Sequence, residues 1–388
     1  MELTWGDVCG RRLRRHGLIP PLTEGGPAAA AAAMCGTHAQ VLTAAEVSIC
    51  LRLSDATRSD VQAALWSDRS LIKTFGPRGT IHLLPATDLA MWCGALSSLP
   101  VNGRHTPDVR VTAEQTEELI AAIGAILADK ELTVDELTEA LADEVGAWAV
   151  DPVMPAFQTL WPRWRQVVHI AAHRGVLCFG PNRGRNVTYT NPARWLPGFV
   201  PAPQSDAIAW LLDRYLDAYG PATPQHFARW LATTPGWANR LFDRSRLAEV
   251  SIEGIRAWAL DGDPGSGDME SGGTGDGDAA RGVLLLPHFE AFVVGGQPRE
   301  LLFPGAAWSR ALAGSQAGNF PVLLVDGVVA GVWHQKKSGK NVAITVEPLG
   351  KLNARQRKQL EAQVERIGAI LEARPSLTIG TVAVGAHA

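Results

Sequence analysis

His38 and Gln40 are the two residues near the N-terminus whose types and spacing could do chemistry together. In an extended backbone, residues i and i+2 face the same side, so the imidazole and the carboxamide would point to one spot while Ala39 turns into the protein. Such a pair can bind and polarise one water molecule. In a helix the two side chains would diverge by roughly 200°, and His38 would be an ordinary structural histidine. The residues alone leave both alternatives open.

Cationic residues occur where the chain is expected to turn. Arg12 belongs to an arginine cluster near the end of the first predicted helix, where cations also suit the helix dipole. Arg78 lies in a Gly/Pro turn between two β-capable runs, and His82 lies on the returning strand. These residues are candidates for DNA contact. The alternatives are solvated arginines and a histidine at the edge of the core.

Two further turns are richer in positive charge. Arg183 and Arg185 lie in a glycine-bearing turn that suits a phosphate backbone, or that simply makes a soluble turn. Residues 335–340, Gln-Lys-Lys-Ser-Gly-Lys, separate two runs rich in β-branched residues. A two-stranded ribbon with this flexible tip could enter a DNA groove, and the alternative is a lysine turn that protects an edge strand. The candidate contacts there are His334, Gln335, Lys336, Lys337 and Lys340.

Apolar periodicity and capping residues predict the helices that position these side chains. Thr4 is placed to cap the first helix, and Thr112 with Gln115 forms a capping-box pattern. The Asp326-Gly327 pair predicts a hairpin turn. Among the predicted helices are the segments 4–17, 112–128, 161–173 and 353–373.

The order of predicted elements is typical of winged-helix modules, because three helices are followed by a hairpin and the pattern recurs. We expect an α+β fold, mainly α, with three tandem winged-helix motifs and a C-terminal segment of β-strands and a helix. The predicted segments are 1–100 with the His38–Gln40 motif, 101–200, 201–290 and 291–388. Residues 261–280 contain mostly Gly, Ser and Asp, so we expect a flexible insertion there.

Composition limits the function classes. The 388 residues are 46% hydrophobic and 19% charged, with a net charge of -3, so any basic surface must be local. The five cysteines include no CxxC pair, which indicates neither a zinc site nor a disulfide framework and fits a reducing cytoplasm. No apolar run approaches the ~18 residues of a membrane span. We therefore expect a cytoplasmic protein with no metal, no cofactor and no membrane partner.

These motifs, in this order, resemble the winged-helix DNA glycosylases of bacteria that unhook interstrand crosslinks and release bulky alkylated bases. The resemblance covers nearly the whole chain outside residues 261–280. Its carriers are Arg11-Arg12 with Gly17-Leu18, Gly36-Thr37-His38-Ala39-Gln40, Arg78-Gly79-Thr80-Ile81-His82-Leu83, Gly180-Pro181 with Gly184-Arg185, Tyr219-Gly220-Pro221-Ala222-Thr223, Leu286-Pro287 with Phe289, and Gly318-Asn319-Phe320 followed by the Asp326-Gly327 turn.

The resemblance implies which residues act. The family's catalytic motif is Gln, an apolar residue and Gln, and a subfamily has His at the first position, as His38 does here. The family also engages the DNA groove with a β-hairpin, which residues 335–340 match in position and charge. We therefore expect His38 and Gln40 to be catalytic, on a concave DNA-binding shape, and the protein to act as a monomer on double-stranded DNA that carries alkylated purines, associating with the nucleoid when bound.

The expected reaction is monofunctional hydrolysis of bulky N7-alkylguanine, including crosslinks, giving self-resistance to a DNA-alkylating natural product. Alkylation at N7 makes guanine a good neutral leaving group, so the remaining task is to supply water to C1′. Neutral His38 is expected to accept a proton from that water, and Gln40 to orient it. No lysine adjoins the motif, which favours hydrolysis over Schiff-base chemistry. The alternatives are a non-catalytic DNA-binding regulator and a protein that sequesters the free drug.

Overall fold

Helices and short strands alternate along the chain in a computed structural model that describes residues 2–100, 106–156, 159–243, 245–262 and 282–385. The α+β class predicted from the sequence is confirmed. The helices are α1 (Trp5–Arg15), α2 (Gly26–Ala33), α3 (Leu42–Cys50), α4 (Arg58–Trp66), α5 (Leu89–Ser97), α6 (Ala113–Leu127), α7 (Val134–Glu144), α8 (Ala147–Val150), α9 (Val168–His173), α10 (Gln204–Tyr219), α11 (Pro224–Leu231), α12 (Pro235–Leu241), α13 (Ala291–Gly295), α14 (Arg299–Leu302), α15 (Ala306–Ala311) and α16 (Ala354–Ile370).

The strands are mostly short and join neighbouring segments of the chain. They are β1 (Glu2–Leu3), β2 (Thr37–His38), β3 (Leu71–Phe75), β4 (Ile81–Pro85), β5 (Glu131–Thr133), β6 (Pro152–Ala156), β7 (Thr159–Pro162), β8 (Cys178–Phe179), β9 (Thr188–Thr190), β10 (Leu247–Ile252), β11 (Ile255–Leu260), β12 (Val283–Leu286), β13 (Val322–Val325), β14 (Val328–Ser338), β15 (Asn341–Pro348) and β16 (Arg374–Ile379).

Capping boxes start many of the helices where the sequence predicts them. The Thr4 side chain accepts a hydrogen bond from the Asp7 amide at 3.2 Å, and the Asp7 carboxylate accepts one from the Thr4 amide at 3.0 Å. This exchange satisfies two amide groups that have no partner inside the helix. The same arrangement begins α6, α7, α11 and α16, with Thr112, Thr133, Thr223 and Asn353 as the capping residues.

The chain folds into two compact units. One contains residues 65–211 and the other contains residues 1–64 and 212–388, so the polypeptide leaves the second of these and returns to it. The four predicted segments, with boundaries near residues 100, 200 and 290, stay a prediction. The predicted insertion 261–280 lies, from residue 263 onward, outside the described residues.

The unit of residues 65–211 has a winged-helix order in its second half. Elements α6, β5, α7, α9, β8 and β9 occur in this order, with α8 and the hairpin β6–β7 inserted between α7 and α9. The strands β5, β9 and β8 form a sheet in the order β5-β9-β8. Its core gathers Leu119, Ile123, Leu137, Trp164 and Tyr189. The prediction of one helix over residues 161–173 is wrong, because β7 pairs with β6 as a hairpin and only Val168–His173 is α-helical.

A similar order follows in residues 204–260. Helices α10, α11 and α12 precede the hairpin β10–β11, and a bridge between Ala222 and Trp258 supplies the strand contact after α10. Strand β1 adds to β10 in parallel, with Leu3 opposite Ile252. Two helix–helix–helix–hairpin orders are therefore visible in these ranges, and the count of three modules stays a prediction.

The unit of residues 1–64 and 212–388 also contains a five-stranded sheet in the order β12-β13-β14-β15-β16. The Asp326-Gly327 turn joins β13 to β14 as predicted. Two expectations for the basic hairpin need correction. Residues 335–338 belong to β14, so only Gly339 and Lys340 form the turn. Strand β16, which the sequence did not predict, pairs in parallel with β15 along its length, so the ribbon has three strands rather than two.

All five cysteines are buried, and they form no disulfide bonds with one another. Burial raises the pKa of Cys9, Cys50 and Cys93 to about 12 and also raises the pKa of Cys178, because a buried thiolate loses its hydration. Within the described ranges, no helix is both long enough and apolar enough to cross a bilayer.

Candidate functional site

The end of helix α2 turns the chain into the His38–Gln40 motif. The helix caps at Met34, and Cys35 adopts a left-handed conformation with φ 53°. The Cys35 amide donates to the Ala32 carbonyl at 2.9 Å, and the Gly36 amide donates to the Ala31 carbonyl at 3.0 Å. This pair of bonds is the Schellman arrangement, which ends a helix and reverses the chain. Strand β2 therefore begins directly after the turn.

The motif changes from buried to exposed between His38 and Gln40. His38 ends β2 and is only 4% exposed, and Ala39 beside it is 2% exposed. Gln40 follows at a bend and is exposed, before Val41 opens α3. The extended alternative therefore holds for His38, and Ala39 faces the interior as predicted. Whether His38 and Gln40 share one water molecule stays a prediction.

Contacts of the Met34 carbonyl and sulfur hold the start of the motif in place. Its carbonyl accepts the hydroxyl of the fully buried Tyr219 at 2.8 Å. Burial raises the pKa of Tyr219, so this phenol stays neutral and donates its proton to the carbonyl. The Met34 sulfur in turn lies 3.4 Å from the hydroxyl of Ser48 on α3 and 3.8 Å from the hydroxyl of Thr37 on β2. Elements on both sides of His38 thus meet at one methionine.

A fully buried ion pair fixes helix α3, which follows the motif. Arg52 and Glu290 are both 0% exposed, and Arg52 Nη2 lies 2.5 Å from Glu290 Oε1. The Ser48 hydroxyl donates to the same carboxylate, while Arg52 Nη1 donates to the Ser48 carbonyl at 2.7 Å. Buried charges persist only where they are paired and hydrogen-bonded in this way. The pair therefore orders α3 against the loop before α13.

His16 completes this buried network. Its Nδ1 lies 3.3 Å from Arg52 Nη2 and its Nε2 lies 3.2 Å from the Ala218 carbonyl. A guanidinium can only donate, so Nδ1 accepts and Nε2 carries the proton that goes to the carbonyl. Burial, together with the Arg52 charge, holds the pKa of His16 well below its usual value. The ring is therefore a neutral spacer, and it also packs edge-on against Tyr219.

Some of the predicted DNA-contacting side chains of the basic hairpin are exposed to solvent, and others are half-buried or bound to neighbouring parts of the protein. Lys336 and Lys340 are exposed, whereas His334 and Gln335 are half-buried. Lys337 Nζ donates to the Leu371 carbonyl at the end of α16 at 2.8 Å. Lys336 and Lys340 are therefore the side chains of this hairpin best placed for a phosphate.

Two predicted DNA contacts are corrected by burial. Arg12 is 2% exposed, and its guanidinium donates to the Gln297 carbonyl at 2.6 Å and to the Pro221 carbonyl at 3.1 Å. It ties two loops together and does not reach solvent. His82 is 1% exposed, and its Nδ1 lies 2.9 Å from the Thr80 carbonyl. Burial lowers the pKa of His82 to about 3, so this neutral ring belongs to the core.

The three arginines predicted at turns in residues 65–211 differ in availability. Arg78 is half-buried in a tight turn with a left-handed φ of 64°. Arg183 lies 3.0 Å from the Glu136 carboxylate and also donates to the Glu131 carbonyl, so its charge is already balanced. Arg185 is exposed. The described residues hold no group of three or more His, Cys, Asp or Glu placed to bind a metal ion.

Comparison with known proteins decides the family. Residues 31–370 match the family described as DNA glycosylase AlkZ-like. The chain belongs to this family. An interstrand DNA cross-link repair glycosylase of Streptomyces sahachiroi is 30% identical over 347 residues, which is 86% of this chain and 88% of that protein. The solved structure of Streptomyces sahachiroi DNA glycosylase AlkZ superposes with a TM-score of 0.79 at 26% identity, over 98% of this chain and 100% of that one.

Membership in the AlkZ-like glycosylases confirms the resemblance inferred from the ordered motifs. The protein is an enzyme, a hydrolase that acts on N-glycosyl bonds of DNA. The alternative of a non-catalytic regulator is therefore set aside.

Sequence reasoning missed the residues that hold the motif, namely Met34, Ser48, Arg52, Tyr219 and Glu290. Tyr219 lies in the Tyr-Gly-Pro-Ala-Thr stretch that carries the resemblance, but nothing in the sequence indicates that its hydroxyl binds the Met34 carbonyl. The signal for Arg52 and Glu290 was a charged residue next to apolar segments, which many surface positions share.

Proposed function

We propose that the protein hydrolyses the N-glycosidic bond of bulky N7-alkylguanine adducts in duplex DNA, including interstrand crosslinks, with His38 and Gln40 handling the water. In its host this activity gives self-resistance to a DNA-alkylating natural product. The observation that carries the proposal is local. In a chain of the AlkZ-like family, a buried imidazole and an exposed carboxamide follow each other at the end of a strand whose two flanks are both anchored in the interior.

The proposed reaction needs little beyond a positioned water. The water oxygen bonds to C1′ as the bond from C1′ to N9 breaks, and the electron pair of that bond neutralises the cationic alkylguanine. The proton of the water passes to His38, and Gln40 holds the water by hydrogen bonds from its amide. Fixed flanks matter here, because a catalytic group gains most when its geometry is set before the reaction begins.

The crosslink part of the proposal rests on a relative. The 30% identical protein is named an interstrand DNA cross-link repair glycosylase, and it aligns with most of this chain. The exposed hairpin lysines fit a duplex partner, because cations that displace counterions supply most of the affinity for DNA.

The decisive experiment measures base release from a duplex that carries a single N7-alkylguanine. Single-turnover reactions with the native chain, His38→Ala, Gln40→Ala and the double variant are stopped with hot alkali, which cleaves the strand at abasic sites. We expect the double variant to be slower by about 100-fold or more, as for loss of a general base, with duplex binding retained. Gln225→Ala changes an exposed glutamine on α11 and is the matched control.

Unchanged cleavage by the double variant would remove His38 and Gln40 from the chemistry. A duplex with a bulky adduct, one with a small N7-methyl group and one with an interstrand crosslink together define the substrate. Titration with the free alkylating compound tests the remaining alternative, since a sequestering protein binds the drug without DNA.

A further inference from the structure

Arg366 of helix α16 binds the end of the helix that follows the motif. Its Nη2 atom lies 2.8 Å from the Cys50 carbonyl, 2.8 Å from the Leu53 carbonyl and 2.9 Å from the Ala56 carbonyl. Cys50 is the last residue of α3. The last carbonyls of a helix have no partner inside it and carry partial negative charge, so a guanidinium there satisfies them and complements the dipole.

The same stretch of chain binds the basic hairpin. Helix α16 ends at Ile370, and the Leu371 carbonyl accepts Nζ of Lys337 at 2.8 Å. Three residues later the Arg374 amide donates to the carbonyl of Lys340, in the hairpin turn, at 2.8 Å. Strand β16 then pairs with β15. Residues 366–374 therefore touch the end of α3 at one side and the tip of the hairpin at the other.

A second set of contacts runs in parallel. The Glu372 carboxylate accepts the Ser59 hydroxyl, with both oxygens at 3.0 Å. On α3, the buried Glu46 lies 3.4 Å from the Arg58 guanidinium. Arg58 and Ser59 are neighbours at the start of α4, so this helix connects the end of α16 to α3. Hairpin, helix α16 and helix α3 are thus joined by charged and hydrogen-bonded groups as well as by packing.

We propose that Arg366 is a positioning residue that fixes the basic hairpin relative to the helix following His38 and Gln40. A duplex gripped by Lys336 and Lys340 is then presented to the motif in one register. The inference rests on the function proposed for the motif. Its physical basis is that displacements of about 1 Å cost on the order of 100-fold in rate, so the joint between a binding element and a reactive element must be stiff.

A purely structural role for Arg366 would lower stability and leave the rate per folded molecule unchanged. The test therefore measures the thermal midpoint, the dissociation constant for the adducted duplex, and the single-turnover rate at saturating DNA. For Arg366→Gln we expect the rate to fall about 10-fold to 100-fold and the dissociation constant to change less than about threefold. Arg366→Lys keeps the charge but loses the planar guanidinium, so its single-turnover rate should lie between that of the native chain and that of Arg366→Gln. Arg357→Gln, at an exposed position of the same helix, is the control.

A double-mutant cycle then tests the connection itself. In the native background, Lys336→Ala with Lys340→Ala is expected to slow the single-turnover rate several-fold even at saturating DNA, because the duplex is no longer held in register. In the Arg366→Gln background the same change should add less than about twofold, since the register is already lost. Independent, multiplicative effects would overturn the proposal.

The outcomes separate this inference from the proposed function. If His38→Ala with Gln40→Ala abolishes base release while Arg366→Gln behaves like the native chain, only the positioning role is wrong. If the motif variants are fully active, the proposed function itself fails. Where Arg366→Gln does not yield folded protein, the cycle is run with Arg366→Lys, and independent effects there overturn the proposal equally.

Discussion

The hairpin β14–β15 and the turn between β8 and β9 carry similar charge in the sequence but hold it differently. In the first, Lys336 and Lys340 are exposed at the end of strands of 11 and 8 residues. In the second, strands of 2 and 3 residues lead to a turn where Arg183 is paired with Glu136. A count of cations therefore does not measure the charge available to a phosphate, because the neighbouring side chains decide it.

The two regions also differ in the contacts that hold them in place. In the long hairpin, β15 pairs with β16, and Lys337 binds the end of α16. The position of the hairpin tip is therefore fixed by the sheet and by this helix. The short turn is held by the Arg183 bonds to Glu136 and Glu131. We therefore expect the hairpin β14–β15 to contribute more to DNA binding than the turn between β8 and β9.

The largest expected effect concerns the long hairpin. Lys336→Ala with Lys340→Ala should weaken binding to duplex DNA by about 10-fold or more at moderate salt, because two phosphate contacts are lost. The slope of log affinity against log salt should decrease by roughly 2. Fluorescence anisotropy over a series of salt concentrations measures both. An unchanged slope would show that this hairpin does not contact phosphates.

A smaller effect is expected from the arginines of the short turn. Arg185→Ala should weaken duplex binding about threefold, since this side chain is exposed. Arg183→Ala should change it less than about twofold, because the guanidinium is already engaged by Glu136. Equal losses for the two variants would contradict the distinction drawn between the paired and the exposed arginine.

The smallest effect sharpens the same distinction in the opposite direction. Glu136→Gln removes the charge that balances Arg183 but keeps a side chain able to accept the Thr133 amide, which Glu136 now accepts at 2.7 Å. Duplex binding should therefore strengthen by about twofold. The urea midpoint of unfolding should stay close to that of the native chain, because the pair is exposed and screened by water. Anisotropy and urea unfolding of the one variant measure the two effects, and Glu139→Gln on the same helix is the control.

Much of the fold was predictable because its signals are local. The capping boxes at Thr4 and Thr112 and the Asp326-Gly327 turn each lie within a few residues, and each appears where the sequence predicts it. The helix predicted over residues 161–173 is wrong at its start, because residues 161–162 pair with β6. A 3-10 helix over Arg163–Gln166 then precedes the α-helix Val168–His173. Strand β16 was missed for a related reason, since its partner β15 precedes it by a whole helix.

The candidate site was predictable only in its first two residues. The i, i+2 spacing of His38 and Gln40 is visible in the chain, whereas the partners that fix the motif are remote. Tyr219 is separated by 185 residues from the Met34 carbonyl it binds, and Glu290 by 238 residues from Arg52. The prediction that Arg12 contacts DNA is wrong for the same reason, because the carbonyls that accept its hydrogen bonds lie 209 and 285 residues away.

The burial of the cysteines has a consequence under the proposed function, in which the enzyme meets alkylating compounds. Thiolates are soft nucleophiles that attack alkylating compounds readily, and their reactivity requires both exposure and ionisation. Here all five sulfhydryls are enclosed, and four have a pKa raised by that enclosure. Under the proposed function, the enzyme would therefore offer an alkylating compound no exposed cysteine, and we expect little loss of activity when it is incubated with such a compound.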